Sequence, residues 1–253
     1  MGNRMDLLTI LFMFFVYCLI GWVWESIYES ILNKKILNRG FLNGPYIPLY
    51  GFGGLIILLF LQRFQTPFMN IMTVKIYFIG AIGATVLEYV TSYVLEKILK
   101  ARWWDYSEYP LNLNGRICLI ATIFWGVVAV AAIDFINPFL LKFYSGLSHD
   151  TVLIYVTAMC TLFILDLVVT INSILDLRNR MQLLISLEKD KITDSFAEKI
   201  GELGKYKEKL SLIGNPFTRR ILRSFPKLKF SSDVLQKTFV KIKNFRMKKD
   251  DED

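Results

Sequence analysis

An uncharged run at residues 7–24, LLTILFMFFVYCLIGWVW, limits the fold more than any other feature of this chain. About 20 consecutive apolar residues match the thickness of a bilayer core when coiled as a helix. Lipid offers no hydrogen bonds, so only helices or closed barrels can cross it. Barrel strands would alternate apolar and polar residues in pieces of about ten. Here the apolar runs are continuous, and they recur through the first 177 residues. Hydrophobic residues make up 54% of the chain, against about 45–50% in ordinary soluble domains. The expected fold class is therefore all-α: a polytopic transmembrane helix bundle of about five spans, followed by a helical cytosolic C-terminal tail.

The spans are expected at about 7–30, 47–64, 74–98, 117–136 and 151–176. Asn137-Pro138 is read as the break that ends the fourth. The following PFLLKFYSGL is read as a short interfacial piece, its aromatic residues suiting the membrane boundary. The transmembrane domain is thus 1–177, and 178–253 form a basic tail. Within it, Ile192, Phe196, Ile200, Leu203 and Leu210 recur at helical spacing and predict an amphipathic helix. The terminal KKDDED reads as a disordered charge run.

Charge fixes the expected orientation. The chain carries a net +8, and its tail holds 19 Lys/Arg against 11 Asp/Glu. Lys34, Lys35 and Arg39 follow the first span, and Lys97, Lys100, Arg102 and Arg116 lie near the third loop. The positive-inside bias puts these loops and the tail in the cytosol, with the N-terminus outside. The expected location is the plasma membrane. A basic tail beside anionic headgroups explains the charge; without a recognition motif in it, nucleic acid is not an expected partner.

Several chemistries find no support. Cys18, Cys118 and Cys160 fall in separate spans, and His149 is the sole histidine. No metal site, cofactor or disulfide framework follows from them. No phosphate-binding loop occurs, so the chain is not itself a P-loop ATPase. No catalytic motif is recognisable, and an enzyme is the less favoured class. The first apolar run leads into Trp22, Trp24 and Glu25 without the small-residue site of a cleaved signal.

Acidic residues inside the spans carry the functional reading. A carboxylate at a helix centre costs about 2.5–3.5 kcal/mol unless it faces protein or water. Glu25, Glu88, Asp134 and Asp166 all fall within expected spans. Glu25 and Glu29 share a helix face, with Lys34 or Arg39 as available partners. Thr161 and Thr170 are the expected partners of Asp166. Two loops stand out. RGFLNGPYIPLYGFGG, at 39–54, reads either as a broken helix start, buried in protein or lining a cavity, whose amide groups face an anion, or as a close-packed loop and helix entry in which Gly51, Gly53 and Gly54 serve helix contact. ARWWDYSEYPLNLNGRICL, at 101–119, combines Trp and Tyr interface anchors with the turn residues Asn112, Asn114 and Gly115. The expected topology places Glu25, Arg39, Tyr46, Tyr50, Glu96, Asp105, Asn114 and Arg116 near the inner leaflet, with Glu88 above them. These nine residues are the candidate lining of a polar cavity open to the cytosol.

GWVWES, RGFLNGPYIPLYGFG, TVLEYVTSYVLEK, RWWDYS and LNLNGRICL resemble the bacterial family called putative ABC-transporter type IV, or CmpB-like ABC transporter permeases. The resemblance covers residues 14–126 well and the remaining spans loosely. It implies a multi-span membrane component paired with a separate ATP-binding subunit. A transport permease is accordingly the first function to consider. Such a small bundle would need a partner chain or a homo-oligomer to form a pathway, in contact with membrane lipids. The alternatives are a membrane scaffold or regulatory protein that docks a partner through its tail, and an enzyme acting on a lipid headgroup.

Overall fold

A computed structural model of the chain describes residues 6–61 and 71–190, with 220, 228–230, 236, 237 and 240. Helix α1 spans Leu7–Asn33. Asp6 caps it by accepting the Thr9 N–H at 2.9 Å, which satisfies one of the open donors of the first turn. Lys34, with φ 52°, closes the other end in the left-handed conformation. Helix α2 spans Pro48–Ile56 and continues as a π-helical turn, Ile57–Leu61. Helix α3 spans Ile71–Leu99. After it come β1 (Ala101–Arg102), β2 (Asn112–Leu113) and β3 (Ile117–Cys118). Helix α4, Leu119–Ala131, runs through a second π turn, Ala132–Ile136, into α5, Asn137–Ser145. Helix α6 spans His149–Asp190, and β4 is Lys229–Phe230.

The chain is a transmembrane helical protein. Four helical stretches are long and apolar enough to cross a bilayer: Leu7–Asn33, Thr73–Leu99, Leu119–Ser145 and His149–Asp176. The expected second span is represented by the shorter apolar helix Pro48–Leu59, and residues 62–70 lie outside the described part. One expectation needs correcting: Asn137-Pro138 does not end the fourth span. The helix continues to Ser145 because the π turn at Ala132–Ile136 precedes Pro138. A proline removes one N–H donor and crowds the preceding turn, and widening that turn accommodates both. Asn137 is fully buried and accepts a hydrogen bond from the Tyr17 hydroxyl of α1.

Two compact units divide the chain. One comprises 1–94 and 105–167; the other comprises 95–104 and 168–253. In the first, Phe12, Met13 and Tyr17 of α1 pack with Leu58, Leu140 of α5, and Val152 and Val156 of α6. Lipid tails are as apolar as these side chains, so tight packing rather than escape from water favours the contacts. Small residues make such packing possible. A Cβ on Gly80 would lie 2.1 Å from the Ala129 Cβ, and one on Gly126 would lie 2.5 Å from the Tyr77 ring. Outward-facing apolar side chains remain exposed, among them Ile154, Leu162 and Leu165 of α6, as lipid contact requires.

In the second unit, β4 pairs antiparallel with β1, Ala101 opposite Phe230 and Arg102 opposite Lys229. Ala101, Trp103, Leu228 and Phe230 are buried, so part of the basic tail packs on the stretch after α3. Trp103 therefore does not serve as the exposed interface anchor its composition suggested. Helix α6 runs on past 177 to Asp190. The expected amphipathic helix at 192–210 and the terminal charge run lie outside the described residues.

Candidate functional site

The chain leaving α1 turns back along it. Four hydrogen bonds mark the descent, each to a residue one helical turn earlier. The Leu37 N–H donates to Ser30 Oγ at 2.9 Å, and the Arg39 N–H to Ser26 Oγ at 3.3 Å. The Trp22 indole donates to Asn38 Oδ1 at 2.8 Å. The Ile47 N–H donates to the Cys18 carbonyl at 3.1 Å. Spacing of four along α1 keeps Cys18, Trp22, Ser26 and Ser30 on one face. Between Cys18 and Asn33 the helix rises about 22 Å, so the loop penetrates to the middle of α1 before α2 begins.

Extended backbone at that depth is tolerated only when protein supplies its partners. Asp166 of α6 does so. Its Oδ1 accepts the Asn43 side-chain amide at 2.7 Å and the Asn43 N–H at 3.1 Å. Its Oδ2 accepts the Gly44 N–H at 2.7 Å and the Tyr46 hydroxyl at 2.9 Å. Thr161, one of the two threonines expected beside Asp166, donates to the Thr157 carbonyl instead. Arg39 lies against two carboxylates of α1, 3.7 Å from Glu25 and 3.6 Å from Glu29. Leu42 and Tyr46 are buried among Phe14, Phe15 and Cys18.

Helix α2 then starts against bare α1 backbone. A Cβ on Gly21 would fall 2.1 Å from Tyr50 Cγ. A Cβ on Gly51 would fall 2.5 Å from Cys18 Sγ, and one on Gly54 would fall 2.3 Å from the Tyr17 ring. Gly51 and Gly54 thus serve helix contact as the close-packed reading expects, whereas Gly53, whose Cβ would meet only Leu87 at 3.9 Å, does not.

Beside this break lies a cavity of about 490 Å³. Its walls come from α1, α2, α3 and α4, with Gly21, Gly53, Gly83 and Leu87 among its apolar lining. Its polar groups include Tyr50, Trp125 and Glu88. Glu88 is 5% exposed. The Trp125 indole donates to its Oε2 at 3.0 Å and the Tyr106 hydroxyl to its Oε1 at 3.1 Å. Burial, with Glu88 adding to it, holds the Tyr106 phenol far above its ordinary range, so this loop residue stays a proton donor. The Tyr50 and Trp125 rings meet at 5.5 Å.

Of the nine candidate residues, Glu88 and Tyr50 line this cavity. Glu25, Arg39 and Tyr46 belong to the returning loop and its supports. Arg116 is buried, bonds Ser92 Oγ at 3.2 Å, and lies 5.7 and 5.5 Å from the Tyr89 and Tyr93 ring centres. Asn114 donates to the Tyr89 hydroxyl at 3.1 Å. With Gly115 it makes the turn between β2 and β3, both at positive φ, as an Asn-Gly pair favours. Asp105 accepts from the Ser107 N–H and hydroxyl. Glu96 lies in the other unit, where it binds Arg102 at 3.1 Å. Sequence reasoning missed Trp125 and Tyr106 as partners of Glu88. An indole and a phenol among apolar residues give no linear signal of the acid they serve.

The family whose sequence model matches is described as Putative ABC-transporter type IV, and the match covers residues 12–171. This chain belongs to that family. Searches of the curated proteins and of the solved structures found no match. In this member of the Putative ABC-transporter type IV family, the matched stretch contains the returning loop, Asp166, and every residue named above as lining the cavity. The match and the apolar helices together identify an integral membrane protein.

Proposed function

We propose that this chain is the membrane-crossing subunit of a transport system driven by a separate ATP-binding chain. The observation that carries the reading is the returning loop followed by a short apolar helix beside an internal cavity. Transporters place binding sites where helices are interrupted, because exposed backbone and cavity occur together there. The family description supports the same class. In this reading Glu88 and Tyr50 face the transported molecule. Glu25, Arg39 and Tyr46 hold the returning loop in place, and Asn114 and Arg116 shape the loop after α3. The N-terminus lies outside and the tail in the cytosol, where the partner chain binds.

Affinity purification of the tagged full chain from its native membranes tests the proposal. The expected result is co-purification of a P-loop ATPase and ATP hydrolysis by the reconstituted pair. Recovery of the chain without any ATP-binding partner, even after cross-linking in the membrane, overturns it. Orientation has its own test. Cysteines replacing the exposed Lys35 and Ser148 should react from opposite sides, Lys35→Cys only after permeabilisation. Labelling of Lys35→Cys in intact cells inverts the arrangement.

A further inference from the structure

We propose that the cavity binds a hydrophobic organic cation, with Glu88 as its counter-charge and the Tyr50 and Trp125 rings as its aromatic walls. The inference rests on the transport reading above and names the substrate class. The volume, about 490 Å³, is that of an ordinary small-molecule site. Its lining is apolar apart from a few polar groups, and Glu88 is the one carboxylate among the lining residues described. No Lys, Arg or His stands among those residues.

Three classes of occupant compete for such a space. An anion would face Glu88 without a positive side chain opposite. The amino end of α2 would favour an anion through its dipole, yet Pro48 has no N–H to offer and the Tyr50 N–H is already bonded to the Ile47 carbonyl at 3.1 Å, which leaves the Leu49 N–H to oppose the Glu88 charge. A neutral apolar molecule would leave the remaining acceptor positions of a buried carboxylate unused. A cation on an apolar body uses every part of the site. An ionised carboxylate has about four acceptor positions, and Tyr106 and Trp125 take two of them. Aromatic faces attract cations through their quadrupoles and serve as walls for quaternary ammonium groups. The glycines complete the shape. A Cβ on Gly83 would meet nothing within 4 Å, and one on Gly53 only Leu87 at 3.9 Å. Both positions therefore widen the cavity rather than serve helix contact.

Equilibrium binding of radiolabelled tetraphenylphosphonium to the full chain in nanodiscs, corrected with empty discs, tests this assignment. Saturable binding at one site is expected, with no competition from tetraphenylborate, its anionic counterpart of equal shape. Glu88→Gln should weaken binding at least tenfold. Gly83→Leu, whose Cβ would meet nothing within 4 Å, should weaken it comparably while preserving the elution profile and melting temperature. Discs with and without phosphatidylcholine separate the two sources of the same chemistry, a lipid headgroup or a free cation. Absence of saturable binding, equal binding of tetraphenylborate, or unchanged affinity in Gly83→Leu overturns the proposal, the last even if Glu88→Gln fails to fold. The chain is tested alone, so a negative result removes the substrate class and leaves the ATP-driven reading to its own co-purification experiment.

Discussion

Gly21 is glycine because Tyr50 occupies the space of its side chain. A methyl group there would lie 2.1 Å from Tyr50 Cγ, and the far side of Tyr50 is held by the Trp125 ring. Overpacking of this kind costs about 1–3 kcal/mol. Gly21→Ala should therefore lower the melting temperature in detergent and displace α2, whereas Gly83→Ala, facing open space, should leave it unchanged. A second prediction concerns Asp6, which precedes the first membrane-spanning helix. Hydrogen bonds from the Thr9 side chain and backbone hold its carboxyl below the ordinary value of 3.8. A depressed folded value means that the stabilisation is fully present above the unfolded value. It is lost as pH falls through the folded one. Asp6→Ala should thus lower the melting temperature at pH 7, and thermal scans should show the gap to wild type closing as pH falls below the ordinary value of 3.8.

At the scale of elements, the returning loop depends on partners distant in sequence. Asp166 accepts four donors, two of them backbone N–H groups of Asn43 and Gly44. Asp166→Asn turns one acceptor oxygen into a donor facing other donors; an unsatisfied group costs about 1–3 kcal/mol when fully buried, and less at this half-buried position. Protease cleavage between 38 and 47 should become faster in that variant, and wild-type resistance would show that the loop is held otherwise. Ser26→Ala and Ser30→Ala remove single steps of the descent and should each cost about 0.5–1.5 kcal/mol in reversible unfolding. These elements were unequally legible in the sequence. The long helices follow from composition alone, since lipid imposes one secondary structure on any long apolar run. The loop's glycines and prolines announced irregular backbone, and Asn114-Gly115 announced a turn. The depth of the loop was hidden, because it depends on hydrogen bonds to α1 serines and to an acid more than a hundred residues later. Asn137-Pro138 misled for a related reason: a π turn absorbs a proline without leaving a mark in hydropathy.

For the whole molecule, the basic tail is more than an appendage of the helical bundle. Strand β4 supplies the backbone partner of β1, and the Phe230 N–H is itself fixed by Gln236 Oε1 at 2.7 Å. Leu228 and Phe230 are buried along with Ala101 and Trp103. Removing β4 therefore strips a cover from apolar residues that directly follow α3 and leaves the β1 ladder groups unpaired, the condition that exposes a chain to association and cleavage. Two truncations separate this structural role from the tail's charge. A chain ending after residue 246 keeps β4 and Gln236 and loses only KKDDED and the preceding Met247; it should elute and melt as the full chain does. A chain ending after 227 loses both and should be cut rapidly near 101–104 and melt lower. Equal protease resistance of the two would show that β4 contributes nothing to the fold, and would return the tail to the role of a cytosolic docking segment.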